Sequence, residues 1–243
     1  MALNLVMLGP PGAGKGTQAE RFAREHGIPK VSTGDILREA VHSDSELGRQ
    51  VKAVMERGEL IGDDQIIGIV RERLSRPDAI AGFVLDGFPR TAQQANALDE
   101  ITKDRGPVIC VEIQVPDEEL VRRVRGRRVC EDCGANADAF EHQAGALPDL
   151  CQNTERCRSI GPKWVARSDD SAAVVRERLK VYWRDTRPMI EYYSSRPTFR
   201  AIDGMQTPEQ VREALVKAVA SALGMPASQL RTLVAKKLSG VRP

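Results

Sequence analysis

What the 243 residues lack narrows the field first. No apolar run approaches the length of a membrane span, so the sequence offers no transmembrane helix. Aromatic residues make up only 4% of the chain, and Lys plus Arg exceed Asp plus Glu by 36 to 34. A net charge that small does not by itself point to nucleic acid or a membrane surface as a partner. Met1 leads straight into an apolar strand without a basic segment or a cleavable apolar stretch, so the expectation is a protein that is not exported. There is no internal repeat and no low-complexity tract. Cysteine is scarce and uneven: five in all, an odd number, with four of them between 130 and 157. In a cytosolic chain that pattern suggests metal rather than disulfides. The remainder, 41% hydrophobic and 29% charged, is the composition of a soluble globular enzyme long enough to bury a full core.

The most informative stretch is Gly9–Thr17, GPPGAGKGT, directly after the apolar run Leu3–Leu8. The run reads as a buried strand and Thr17–Glu25 as the helix that follows. A strand, a Gly-rich turn and a helix N-terminus make an anion site, because backbone N–H groups point inward and the helix dipole adds positive potential. Lys15 completes the G-x-x-x-x-G-K spacing and can reach terminal phosphates. The next position departs from the usual pattern. Gly16 stands where a Ser or Thr normally coordinates magnesium, and the hydroxyl comes one residue later, at Thr17.

Further along, Ser32 or Thr33 caps a helix with Asp35 in its first turn. Helical stretches Gly34–Val41 and Ser45–Arg57 follow with no strand between them, the second ending at Gly58. They read as a small helical insertion. Asp63 is expected to cap a helix over Gln65–Leu74, which Pro77 stops. Gly82–Leu85 reads as a strand leading into Asp86-Gly87-Phe88-Pro89-Arg90, then a helix over Ala92–Thr102. Val108–Val115 is apolar enough to be the central strand. Asp117 is expected to cap a basic helix Glu118–Arg128, and Cys130–Val165 reads as irregular. A long helix runs from near Asp170 towards Pro188, Phe199–Ile202 is a last strand and Pro208–Leu223 a last helix. Strands alternating with helices, without hairpin signals, predict a parallel sheet covered on both faces. In the tail, Leu230, Leu233, Val234 and Leu238 share one helical face. The expectation is a helix packed back on the domain or fraying in solvent, with a membrane-surface or partner-binding role as the alternative.

A phosphate loop alone does not separate kinases from ATPases and GTPases. The guanine-reading Asn/Thr-Lys-x-Asp element is absent, since Thr102-Lys103-Asp104-Arg105 has its Asp one place early. What stands out instead is arginine near element ends: Arg38, Arg90, Arg123, Arg127, Arg167 and Arg178. Taken singly, each reads as a solvated surface residue. As a set beside a phosphate loop they are what transfer between two phosphorylated molecules needs.

Five segments together, GPPGAGKGT at 9–17, STGDILR at 32–38, LDGFPRTAQQ at 85–94, GRRVC at 126–130 and RSDD at 167–170, resemble bacterial adenylate kinases of the long-lid type. The resemblance runs to Gly224. It implies an α/β fold of the P-loop nucleoside monophosphate kinase kind, a five-stranded parallel sheet flanked by helices. The implied core is 1–30, 62–126 and 167–224, with a helical monophosphate-binding insertion at 31–61, a lid at 127–166 and an extension at 225–243. The implied reaction is reversible, magnesium-dependent transfer, ATP + AMP = 2 ADP, serving nucleotide homeostasis.

Roles are implied position by position. Gly12, Ala13, Gly14, Lys15, Gly16 and Thr17 would hold the ATP phosphates, with Arg123 stacking on the base, Arg127 on the phosphates and the main chain near Gln206 at the adenine. Thr33, Arg38, Gly87, Arg90 and Gln94 would form the AMP site, with backbone groups of Glu59, Leu60 and Ile61 closing over the base. Arg38 and Arg90 would grip the α-phosphate, and the Gln94 amide would read the adenine edge. Arg167 and Arg178 would clamp the transferring group, and Asp86 would orient Mg2+ through water. The expected setting is cytoplasmic, with a monomer as the default.

Cys130-x-x-Cys133 has zinc-knuckle spacing, and many relatives carry a structural zinc in the lid. The second half fits less well: Cys151 is followed three residues on by Thr154, and the remaining cysteine is Cys157. Cys130, Cys133, Cys151 and Cys157 form the preferred ligand set, with Asp149, His142 or Glu155 as alternatives for the fourth. Cys110 reads as a core residue. Two other readings remain. One keeps the fold and changes the nucleotide, as a GTP:AMP phosphotransferase or a UMP/CMP kinase. The other takes the cysteines with Arg122–Arg128 as a zinc module binding nucleic acid, against which that basic run has no interleaved aromatics.

Overall fold

A computed structural model describes residues 2–42, 45–132, 136–138, 157, 159, 161, 163–167 and 170–230. Strand β1 (Leu3–Leu8) leads to α1 (Lys15–His26), and β2 (Lys30–Ser32) to α2 (Thr33–His42) and α3 (Glu46–Arg57). After α4 (Asp63–Ser75) come β3 (Gly82–Asp86), α5 (Ala92–Thr102), β4 (Val108–Gln114) and α6 (Asp117–Gly126). Three short strands follow, β5 (Arg127–Cys130), β6 (Asn136–Asp138) and β7 (Trp164–Val165). The chain continues through α7 (Ala172–Val181), α8 (Arg187–Ser194), β8 (Phe199–Asp203) and α9 (Pro208–Ala222).

Five strands form one parallel sheet in the order β2-β3-β1-β4-β8, as the alternation of strands and helices predicts. Alternating side chains divide between two buried layers. Leu3, Leu5 and Met7 pack with Phe22 of α1, Leu120 of α6 and Leu215 of α9. Val6 and Leu8 face Val70 of α4, Leu98 of α5 and Tyr193 of α8. Burying a side chain of this size contributes roughly 1.5–3 kcal/mol, and burial on both faces explains why β1 and β4 are apolar without alternation. The order puts β1 at the centre, so β4 is interior but one strand from the edge. Cys110, in β4, is 1% exposed, a core residue as expected.

The helical insertion after β2 is a tightly packed pair. Ser45 caps α3 by accepting from the Gly48 N–H at 3.0 Å, and Gly58 ends it in the left-handed conformation. The two helices approach so closely that a Cβ on Gly48 would lie 2.0 Å from the Ala40 carbonyl oxygen.

Several local readings need correction. Helix α1 starts at Lys15, two residues before the expected Thr17, which brings the Lys15 and Gly16 amides into its first turn. Asp63 is not a cap; it is the first residue of α4, after Gly62, and its carboxylate is engaged elsewhere. Asp117 likewise lies inside α6, where it joins Glu118 and Glu119 in the electropositive first turn. That helix stops at Gly126 rather than Arg128, because Arg127–Cys130 pair antiparallel with β6 and β7. Within Cys130–Val165, the described residues Asn136–Asp138 and Trp164–Val165 are strands. The long helix does not end near Pro188. A π-type turn over Tyr182–Thr186 shifts the hydrogen-bond register, with the Arg187 N–H bonding the Tyr182 oxygen, and Pro188 falls in the first turn of α8. Proline is tolerated there because its missing N–H has no helical partner to lose.

Of the tail, residues 226–230 are described, and Leu230 is fully buried in the layer of α1 and α9, as a segment packed back on the domain should be. Residues 231–243, with Leu233, Val234 and Leu238, lie outside the described residues. Among the described residues no helix is long and apolar enough to cross a membrane.

Gly48→Ala is expected to lower the thermal midpoint, because the new methyl must force α2 and α3 apart. Gly68→Ala, inside α4 where a Cβ meets nothing within 4 Å, is expected to stabilise by about 0.5–1 kcal/mol. Circular dichroism melts of both variants check the pair.

Candidate active site

The C-terminal ends of β1 and β3 deliver two loops to the same edge of the sheet, where ligands of open α/β sheets bind. After β1 comes the phosphate loop. Gly9, at φ +130°, passes so close to β4 that a Cβ would lie 2.5 Å from the Ile113 carbonyl oxygen. After β3 comes Asp86-Gly87-Phe88-Pro89-Arg90. Gly87 sits at φ +82°, and a Cβ there would stand 2.9 Å from both Thr33 Oγ1 and Arg90 Nη2. A side chain at this position would displace both neighbours.

These loops share a cleft of about 380 Å³. Its lining includes Gly12–Thr17, Arg123 and Gln206 together with Thr33, Arg38, Glu59–Ile61, Gly87, Arg90 and Gln94. Asp86, Arg127, Arg167 and Arg178 line it too. The structure thus brings every nucleotide-site residue expected from sequence into one place.

Each cation whose contacts are described has an acceptor. Lys15 Nζ donates to the Pro10 carbonyl oxygen at 2.8 Å. Burial lowers its pKa from 10.5 to about 8, helped by the Arg90 and Arg127 charges and opposed by Asp86. Arg90 Nε donates at 2.8 Å to the Gly87 oxygen, which also accepts from Thr33 Oγ1 at 2.9 Å. Burial, then the Arg178 and Arg38 charges, depress the Arg90 pKa, although guanidinium remains protonated. Arg123 donates to Glu119 at 2.8 Å and to the Gly204 oxygen at 2.9 Å, tying α6 to the turn that carries Gln206. Arg127 makes a two-pronged pair with Asp170, and Arg178 approaches the same carboxylate at 3.8 Å. Arg38 pairs with Asp35, as does Lys30 at 3.1 Å. Burial disfavours a charge on Asp35, but Lys30 and Arg38 outweigh it and hold the carboxyl well below its usual range.

One contact explains the glycine after Lys15. A Cβ on residue 16 would stand 3.1 Å from Asp86 Oδ2, so a serine or threonine there would crowd that carboxylate. The acid thus occupies the neighbourhood a metal-binding hydroxyl would take in other phosphate loops.

A phosphate loop and several arginines line one cleft. That arrangement suits two phosphorylated ligands meeting head to head. The sequence profile of the adenylate kinase family matches residues 7–198. The chain belongs to the adenylate kinase family. It is 46% identical over 211 residues to the adenylate kinase of Archaeoglobus fulgidus, covering 86% of this chain and 94% of that one. To the adenylate kinase of Rhizobium etli strain CFN 42 it is 45% identical over 223 residues, 91% of this chain and all of the other. With that of Kosmotoga olearia the figures are 44% over 219 residues, 88% and 98%.

Among the expected metal ligands, Cys130 and Cys157 come together, with Sγ atoms 3.6 Å apart and exposures of 1% and 4%. A disulfide needs about 2.05 Å. Two thiolates on one tetrahedral ion at ~2.3 Å stand roughly 3.8 Å apart. A carboxylate oxygen of Asp132 lies within 4.8 Å of both sulfurs. Cys133, Cys151, His142, Asp149 and Glu155 lie outside the described residues. Sequence reading passed over Asp132, although its place inside Cys130-x-x-Cys133 marks it. It also passed over the role of Asp63, which accepts from Thr91 Oγ1 and Gln94 Nε2, both at 2.8 Å. No local signal marks that contact, since α4 and α5 meet only in the fold.

At pH 8.5 Lys15, with its pKa near 8, is mostly neutral. A polyanion bound in the loop favours the charged form and raises that pKa, so binding should take up a proton. Titrating tripolyphosphate by calorimetry in buffers of different ionisation enthalpy is expected to show this uptake at pH 8.5, little at pH 6.5, and none for Lys15→Met.

Proposed function

We propose that this chain catalyses reversible phosphoryl transfer, ATP + AMP = 2 ADP, and thereby serves nucleotide homeostasis. The observation that carries the reading is the one cleft lined together by the phosphate loop and by Arg38, Arg90, Arg127, Arg167 and Arg178. The loop residues Gly12–Thr17 hold the ATP phosphates, while Arg123 and the main chain near Gln206 receive its adenine. Thr33, Arg38, Glu59–Ile61, Gly87, Arg90 and Gln94 hold AMP, with Arg38 and Arg90 on its phosphate.

The chemistry needs no general base. An AMP phosphate oxygen, already ionised at neutral pH, attacks the γ-phosphorus of ATP in line. The bond to the new oxygen forms as the bond to the β-phosphate oxygen breaks, and ADP leaves on each side. Catalysis is therefore positioning plus charge stabilisation. Lys15, Arg90, Arg127, Arg167 and Arg178 surround the transferring group, whose equatorial oxygens carry the charge. Arg127 and Arg178 already converge on the Asp170 carboxylate, a geometry that lets both turn to the same phosphate. Mg2+ would accompany ATP and supply charge compensation to its phosphates, and Asp86, beside Gly16, is the carboxylate that would orient the metal's waters.

Water is the competing acceptor, and excluding it is the role of the two insertions. Segment 31–61 and lid 127–166 close over the core, 1–30, 62–126 and 167–224, once both nucleotides are bound; adenylate kinases are among the known cases of such closure. Gly58, at the end of the insertion, already abuts α7: a Cβ there would lie 3.2 Å from Arg178 Cγ. The lid is stapled by a structural Zn2+ held by Cys130, Cys133, Cys151 and Cys157, with Asp132 as a further donor within reach. The short Cys130–Cys157 approach supports it. Four protein ligands leave no open position, so this metal holds the fold and takes no part in transfer. The enzyme works as a cytoplasmic monomer, with neither nucleic acid nor membrane as partner.

Arg90→Ala is expected to lose orders of magnitude in AMP-dependent ADP formation while ATP binding persists. Near-normal turnover in a coupled assay would remove Arg90 from the site. Protein purified without chelator is expected to carry about one zinc per chain by elemental analysis. Cys130→Ser should lose both the metal and thermal stability.

A further inference from the structure

Gln94 is 2% exposed and lines the cleft, and both ends of its amide are held. Its Oε1 accepts from the Arg90 backbone N–H and its Nε2 donates to Asp63 Oδ1, each at 2.8 Å. These partners allow the amide one orientation. A backbone N–H only donates and a carboxylate only accepts, so turning the amide over would set donor against donor at Arg90 and acceptor against acceptor at Asp63. Asp63 is itself steadied by Thr91 Oγ1 at 2.8 Å, from the residue that caps α5.

A primary amide has four hydrogen-bonding positions, two N–H and two lone pairs. Arg90 and Asp63 take one of each. One donor and one acceptor remain, in an order that cannot be exchanged. The edge of a 6-aminopurine offers a donor at the amino group and an acceptor at N1, which such an amide can meet. The edge of a 6-oxopurine offers an acceptor and then a donor, the reverse order, and meets like with like. We propose that Asp63 is a positioning residue that makes the AMP site select 6-aminopurine over 6-oxopurine monophosphates by locking the Gln94 amide. This inference rests on the reading of Gln94 as the side chain facing the acceptor base.

Asp63 also ties α4 to α5, so its structural and selective roles must be separated. The chain carries a natural control: Gln93 Nε2 donates to Asp64 Oδ1 at 3.0 Å, a tie between the same two helices on an exposed face. The test uses the full chain at saturating ATP with AMP or IMP as acceptor, two nucleotides whose bases differ at position 6. The wild-type ratio of kcat/KM, AMP over IMP, is expected to exceed about a thousand. Asp63→Asn, whose amide can face Gln94 either way, is expected to lower that ratio at least about tenfold with KM for ATP unchanged. Asp64→Asn should leave the ratio as it is. In a Gln94→Leu background, Asp63→Asn should change the ratio no further, because no amide is left to orient.

Should Asp63→Asn give no folded protein by circular dichroism, Asp63→Ser is read in its place. A folded Asp63 variant that keeps the wild-type ratio within twofold overturns the proposal, as does an equal effect of Asp64→Asn. An unchanged ratio in Gln94→Leu itself overturns both this proposal and the assignment of Gln94. Absence of AMP-dependent ADP formation in the wild type overturns the function instead, so the three failures are distinguishable.

Discussion

Lys15, Arg38, Arg90, Arg123, Arg127, Arg167 and Arg178 crowd into one cleft, and the rest of the architecture follows from having to hold these like charges together. The effect of their mutual repulsion is visible in Lys15 and Arg90, both depressed by burial and by neighbouring cations. The protein steadies the group with its own acceptors. Asp35 holds Arg38, Glu119 holds Arg123, and Asp170 holds Arg127 with Arg178 nearby. Backbone oxygens of Pro10, Gly87 and Gly204 accept hydrogen bonds from Lys15, Arg90 and Arg123. Charged side chains fixed in this way meet a phosphate without having to be ordered first, which is the advantage of a preorganised site.

Parallel strands make such crowding possible. Their C-terminal ends all point to one edge, so the loops after β1 and β3 meet there, and β4 supports the first of them through Ile113. Glycine is used where backbones or side chains must approach within contact. Gly9 lies against β4, Gly16 against Asp86, and Gly87 beneath Thr33 and Arg90. The sequence pattern and the atomic packing therefore have the same cause at these positions.

Beyond the cleft, the helix carrying Arg178 is anchored from its far end. Arg187 at the start of α8 donates to Glu112 of β4 at 2.7 Å, and Glu112 is 3% exposed. A buried carboxylate in a largely apolar strand is explained by this partner and by Gln114, whose Nε2 donates to it at 2.9 Å. Between Arg178 and Arg187 lies the π-type turn, whose Tyr182 lines the cleft. The same residues explain why Val108–Val115 looked central from its composition. One charged residue in the run is neutralised by an ion pair that only the fold supplies.

Much of this was legible in the chain because the signals are local. Leu3–Leu8 and Ala92–Thr102 have the bounds their periodicity and caps imply, and Ser45 and Gly58 frame α3 through contacts within a few residues. The motifs around Lys15, Arg38, Arg90 and Arg127 carry the family resemblance, and it is that resemblance which implies a two-nucleotide site. Short-range chemistry misled at Asp63, where a residue suited to capping α4 bonds instead to Thr91 and Gln94 across a helix interface. It misled again at Arg127–Arg128, where helix propensity yields to strand pairing with β6 and β7. By itself the sequence determined which segments form strands, helices and a phosphate loop, since these depend on neighbours along the chain. Tertiary structure decided the order β2-β3-β1-β4-β8, the approach of Cys130 to Cys157 and the direction of the Gln94 amide. Each of those joins residues whose separation along the chain carries no information about their separation in space.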